Sequence, residues 1–324
     1  MSTPFLSDLR VPGDLDRGDP WTRAMARDCG VGDHDLRALL EAGLVRRILR
    51  GAYATSDVAD TLSLRLAALR LVVPSTSVTT DGSAAWLFAG DAALAPGEHI
   101  SLEPPTVFDA RRGRRLRRSD VASGTRDLEP GDVIEIEGVR VTSLVRTAMD
   151  VARLQHPQRA LATLDALLRH TSLVNAEMVA ELARFRGARG IVQARSLVRW
   201  ADGRAESYGE SAGRYVWLTT PGLPPPQLQV PVEVDGHVFY LDLADEDLMI
   251  GVEYDGERWH GPDRAEHDDW RRSLIEELGW LLVVLRRRHV FGRDRNVEQI
   301  LVRTFHQRRQ ARERAEREST SRGK

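Results

Sequence analysis

Asp242, Glu253 and Asp255 interrupt two apolar runs, HVFYLDLA and LMIGVEYDG, where buried strands would be expected to continue. The runs flank an acidic loop from Asp245 to Asp247, so they are expected to pair as a hairpin. With the turn centred near residues 247 and 248, Asp242 falls almost opposite Glu253, at a cross-strand spacing of about 5 Å. Asp255, two residues further on, points to the same face. Carboxylates converging at the end of an apolar hairpin repel one another unless a proton or a cation sits among them. All-oxygen ligation selects Mg2+ or Mn2+, and such an ion can activate water and stabilise the leaving oxygen of a phosphodiester. The competing reading is a charged strand edge that wards off aggregation. Acids that break an apolar pattern favour a site.

The elements around these residues must hold them. Glu206 to Thr219 fits a helix, which carries Glu210, and the prolines between Pro221 and Pro226 force a break before the next strand. After Arg293 an amphipathic helix fades into an arginine-rich tail. From Arg303 onward this stretch holds eight basic and three acidic residues, either a solvated face or a source of phosphate attraction.

At the other end of the chain, a short helix through Ala24 and Cys29 is followed by a second, capped by Asp33 and ended by Gly43, whose Leu36, Leu39 and Leu40 share a face. LVRRILRGAYA then reads as two short strands around Arg50-Gly51. Helix, turn, helix and basic hairpin together suggest a winged helix, with Arg37 on the second helix and Arg46, Arg47 and Arg50 on the wing as DNA contacts. An ordinary helical subdomain is the alternative. Residues 1–19, rich in Asp, Gly and Pro, read as a flexible leader.

Between these ends, LSLRLAALRLVV and DGSAAWLFAG have helical patterns, HISLEP, DVIEIEG and VRVTS are strand-like, and LVRTAMDVARL, QRALATLDALLRH and AEMVAELARF are helical again. Six arginines crowd positions 111 to 118, a solvated loop or a secondary phosphate contact.

Composition limits the chemistry. Forty-six basic and 48 acidic residues give a net charge of -2, so any nucleic-acid footprint must be local. One cysteine excludes an internal disulfide framework or a multi-thiolate zinc site and fits a reducing compartment. Lysine occurs only at Lys324, so no folded region can use one. No apolar run approaches the roughly 20 residues of a membrane span and the start has no apolar signal core, so a cytoplasmic protein with no membrane partner is expected.

Residues 206 to 291 carry ES near Glu210, GLPPPQLQVPV, LDLA around Asp242, VEYDGERWH, the Asp268 to Arg271 pair and LGWLLVVLRRRHV. This stretch resembles the domain-of-unknown-function group related to very-short-patch-repair (Vsr) endonucleases, in the PD-(D/E)XK nuclease superfamily. The winged-helix pattern, SAAWLFAG and VTSLVRTAMDVAR resemble the AbiEi-type antitoxin region that often precedes it in actinobacterial proteins. The nuclease resemblance implies that Asp242, Glu253 and Glu210 bind the metal. It also implies that His260 supplies the base or orients water, and that Asp268 and Arg271 position the site, if they do not simply pair along their helix. The superfamily's lysine, two residues after the Glu, is here Asp255.

The expected fold class is therefore α/β (α+β). It comprises a leader at 1–19, a winged helix at 20–56, a mixed α/β antitoxin-like middle at 57–200, a restriction-endonuclease-like domain at 204–305 and a basic tail at 306–324. The expected function is DNA binding with Mg2+- or Mn2+-dependent phosphodiester hydrolysis. The alternative is a non-catalytic DNA-binding regulator or antitoxin with a cognate toxin as partner. The absent lysine favours the second reading, and the intact acid set the first.

Overall fold

The computed structural model describes residues 10–98, 104–109, 122, 126–256, 262–293 and 295–322. The fold is mixed α/β, as expected, and forms two compact units: Met1–Leu154 with His170–Arg195, and Gln155–Arg169 with Ser196–Lys324.

The first unit opens with β1 (Trp21–Thr22), α1 (Arg23–Asp28), α2 (Asp33–Glu41), β2 (Val45–Leu49) and β3 (Ala52–Thr55). The Thr22 hydroxyl caps α1 by accepting from the Met25 N–H, and the Asp35 carboxylate accepts from the Gly32 N–H at the start of α2. Gly43, with φ +68°, follows α2, and Gly51, with φ +95°, turns the hairpin, conformations that cost side-chain-bearing residues strain. β1 adds to the hairpin in the order β1-β3-β2 and stacks Trp21 on Tyr53. Leu36, Leu39 and Val45 close a small core with these rings. Leu15 is buried in the same core and Val11 packs on it, so the expected leader is corrected: its described part contributes apolar anchors that spacing alone did not reveal.

The chain continues through α3 (Leu62–Val72), β4 (Ser77–Thr79), α4 (Asp81–Ala89), β5 (Val107–Asp109), β6 (Val133–Ile136), β7 (Val139–Thr142) and α5 (Leu144–Leu154). A sheet of order β5-β4-β7-β6, parallel only between β4 and β7, shares a core of Leu66, Trp86, Leu87 and Val141 with α3 and α4. The helices and β6 and β7 stand where the pattern put them. HISLEP falls mostly, and the Arg111 to Arg118 cluster wholly, outside the described residues.

α6 (Pro157–His170) lies almost wholly in the second unit, α7 (Asn175–Glu181) returns to the first, and α8 (Ile191–Trp200), a helix not expected from the pattern, crosses the boundary. The second unit then runs α9 (Tyr208–Thr219), β8 (Gln227–Val234), β9 (His237–Asp245), β10 (Ile250–Asp255), α10 (Pro262–Glu277), β11 (Leu281–Arg286), α11 (Arg287–Val290) and α12 (Val297–Arg322). Its sheet has the order β11-β10-β9-β8, antiparallel except for the β10–β11 pair, which α10 connects. Trp217 of α9 meets Phe305 of α12 edge-on, over a core with Leu243, Ile250 and Val252. Ile275 of α10 packs with Val230, Val232 and Leu241 in a separate cluster. Buried Arg214 ties α9 to α6 by donating to Asp165 at 2.6 Å.

Candidate functional site

β9 and β10 pair Asp245 with Ile250, Ala244 with Gly251 and Leu243 with Val252. The next step in this register sets Asp242 opposite Glu253, as the turn position predicted. The ladder ends there because the Asp242 carboxylate accepts the Tyr254 N–H at 2.7 Å, standing in for a backbone carbonyl.

Glu210 reaches this point from α9. Ser207 caps the helix by accepting from the Glu210 N–H (3.1 Å), and the Glu210 carboxylate accepts from the Glu206 N–H (2.8 Å). Gly209 allows the approach: a Cβ there would stand 2.1 Å from the Tyr254 ring, so only glycine lets α9 sit this close to β10.

Electrostatics reflect the crowding. Removal from water, the Glu210 charge and then Glu253 push the Asp242 carboxyl up to about 8, against the Tyr254 N–H and Arg271. Burial and the nearby Glu206 also raise Glu210, although hydrogen bonds from Glu206 and Ser207 oppose this. Glu253 has a cation already: Arg271 Nη2 stands 2.6 Å from its carboxylate and also donates to the Tyr240 carbonyl at 3.0 Å. Arg271 thus contacts one acid of the cluster directly. Asp268 falls on α10, but its side chain lies outside the description. Asp255 is half-exposed at the end of β10, in register with Arg286 of β11. His260 lies outside the described residues.

The oxygen chemistry of these acids suits Mg2+ or Mn2+, but an ion would have to compete with Arg271 for Glu253. Arg271 holds Glu253, and among the described residues no three His, Cys, Asp or Glu side chains form a group that could hold a metal.

The proposed DNA contacts divide. Arg37, Arg47 and Arg50 are exposed, and among the described residues they have no ion pair or side-chain hydrogen bond. Arg46 is instead a strut: its guanidinium donates to the Val58 carbonyl at 2.7 Å and ties the wing to the following segment. α2 carries Asp33, Asp35 and Glu41 against Arg37 alone, so the exposed positive charge of this region lies on the hairpin rather than on this helix.

Sequence reasoning missed a buried ion network in the first unit. Arg146 donates to Asp150 at 2.9 Å and to Asp132 at 2.6 Å. Arg184 also binds Asp132, Arg153 binds Asp150, and Arg126 spans Asp150 and Asp81. Arg146, Arg153 and Arg184 gather around the Phe185 ring, with guanidinium carbons 4.3 to 5.3 Å from its centroid. The four-residue spacing of Arg146 and Asp150 was readable as a helical pair, but not its burial.

Residues 77–200, from the first residue of β4 to the last of α8, match the AbiEi antitoxin C-terminal domain. Both motifs that suggested an antitoxin, SAAWLFAG and VTSLVRTAMDVAR, lie in this stretch, as does the buried network. Two Mycobacterium tuberculosis proteins, uncharacterized protein MT2308 of strain CDC 1551 / Oshkosh and uncharacterized protein Rv2248 of strain H37Rv, are each 38% identical to the chain over 251 residues. The similarity covers 74% of this chain and 84% of each relative. The chain belongs to the same family as these mycobacterial proteins. The matched stretch begins at Ser77, after the basic hairpin of β2 and β3 and after α3, and among the described residues no helix is long and apolar enough to cross a membrane.

Proposed function

We propose that the protein is a non-catalytic DNA-binding regulator of the antitoxin type, acting in the cytoplasm with a toxin protein as its partner. One observation carries this reading: the exposed arginines Arg47 and Arg50 stand on a hairpin that follows two short helices, on the N-terminal side of the stretch that matches the antitoxin domain. Guanidinium groups without protein partners can engage phosphates without first breaking an ion pair. Selection of genomic fragments with the full chain tests the proposal. A defined sequence should be enriched by the native protein and lost with Arg47→Ala/Arg50→Ala. Equal enrichment by both proteins would dissociate the wing from recognition.

A second reading treats the later unit as a Vsr-like PD-(D/E)XK fold that hydrolyses phosphodiesters with Mg2+ or Mn2+. It is favoured by the juxtaposition of Glu210, Asp242 and Glu253, but it requires Arg271 to release Glu253, and Asp255 stands where the superfamily has lysine. Its test is metal-dependent cleavage of duplex, mismatched and single-stranded DNA. Cleavage that is lost in Asp242→Ala supports this reading, and absence of cleavage with every metal and substrate removes it.

A further inference from the structure

The second unit contains a cavity of about 400 Å3 that shares no lining residue with the acid cluster. Its walls come from the start of α6, the last turns of α9, α11 and the start of α12. The volume lies within the roughly 300–1,000 Å3 of small-molecule sites.

The lining sorts into groups that suit different parts of one ligand. Tyr215, His156 and His289 contribute aromatic rings to the lining. Burial, together with the charges of Arg288 and Arg286, holds the His289 imidazole below its ordinary value, so near neutral pH it presents a neutral ring. Gln158 donates its Nε2 to the Ala212 carbonyl at 3.1 Å, which fixes the amide and leaves its Oε1 as an acceptor. Glu298 adds a carboxylate suited to hydroxyl or amino donors. Arg295 supplies a fixed positive charge.

The surroundings reinforce that charge. Residues 286 to 298 hold five arginines against Asp294 and Glu298, and Arg286, Arg287, Arg288, Arg293 and Arg295 are all exposed. The N-termini of α6 and α12 both contribute to the lining, and the positive ends of their dipoles favour an anion. An anionic group joined to a ring that carries hydrogen-bonding atoms satisfies all of these features.

We infer that this cavity binds a nucleotide, taking the phosphate at Arg295 and the ring against Tyr215 and the two histidines. The ligand is either a free mononucleotide or the phosphorylated end of a nucleic-acid strand. The site shares no residue with the wing, so it stands or falls separately from DNA recognition by the first unit.

Isothermal titration calorimetry of the full chain tests this with AMP, GMP, inorganic phosphate and a 5′-phosphorylated single-stranded oligonucleotide, each up to millimolar concentration. The expected result is saturable binding of at least one mononucleotide or of the oligonucleotide, weakened about tenfold or more by Arg295→Glu. Because Arg295 is exposed, this exchange leaves the core intact. Binding of a mononucleotide assigns a free ligand, and binding of the oligonucleotide alone assigns a strand end; either supports the site when Arg295→Glu weakens it. Inorganic phosphate binding as tightly as the nucleotides, affinity unchanged in Arg295→Glu, or no binding by any probe overturns the inference.

Discussion

Asp132 in the first unit and Asp242 in the second are carboxylates withdrawn from water, and their neighbours drive them in opposite directions. Burial pushes Asp132 upward, but hydrogen bonds from Arg184 and the Glu129 N–H, with the charge of Arg146, outweigh it and hold the group below its ordinary value. For Asp242 burial is joined by the charges of Glu210 and Glu253, and the carboxyl rises to about 8. Around Asp132 the acids are matched by Arg126, Arg146, Arg153 and Arg184. Around Asp242, Arg271 is matched to Glu253 and the remaining repulsion stays. Asp81 lies between these cases: burial raises it and Arg126 only moderates the rise. A matched network holds a fold together. An unmatched one keeps acids together at a cost that the fold itself does not explain, a pattern typical of functional sites.

The comparison breaks most visibly at Arg146. Arg146→Ala leaves Asp132 and Asp150 without a shared buried partner, so unfolding by denaturant should show a loss of about 3–5 kcal/mol in the first unit. A loss well under 1 kcal/mol would mean that the network is dispensable and the contrast empty.

A smaller effect of opposite sign is expected at Asp242. Asp242→Asn keeps an acceptor for the Tyr254 N–H and removes a repelling charge, so at pH 9 it should stabilise the second unit by about 1 kcal/mol or more. Destabilisation at that pH would show that the carboxylate is a structural anchor like Asp132.

The pH dependence sharpens the same contrast. A carboxyl raised from 3.8 to about 8 binds its proton more tightly in the folded state. Its contribution to stability is therefore present at low pH and lost as pH rises between about 4 and 8. Asp132, held below 3.8, contributes stability that is present above that value and lost as pH falls through its folded-state value. In thermal melts from pH 4 to 9, Asp242→Asn should flatten the decline of the second unit's midpoint. An identical pH profile in the native protein and the variant would place the titration elsewhere.

The sequence made one half of this contrast legible and hid the other. Asp242 and Glu253 could be set opposite each other because a turn between two apolar runs fixes the register, and register fixes faces. The Arg271 contact with Glu253 joins residues 18 apart across a helix and a strand, and the bond of Arg184 to Asp132 spans 52 positions. No local period records such pairs. β4 and β5, of three residues each, are too short for alternation to register, and they hold because β4 pairs with β5 on one side and β7 on the other. Leu15 gave no signal because it and Val11 are too few among Asp, Gly and Pro to set a period, although Leu15 is 4% exposed in the folded chain. Arg46, Arg47 and Arg50 read alike in the sequence, and the Val58 carbonyl separates the strut from the two cations that have no partner among the described residues.

That separation gives the most direct test of the DNA-binding reading. Fluorescence anisotropy of a labelled duplex with the full chain, repeated over a salt series, measures the slope of log affinity against log salt. Losing two phosphate contacts in Arg47→Ala/Arg50→Ala should make that slope shallower by about two units. An unchanged slope and unchanged affinity in the double variant would contradict the account.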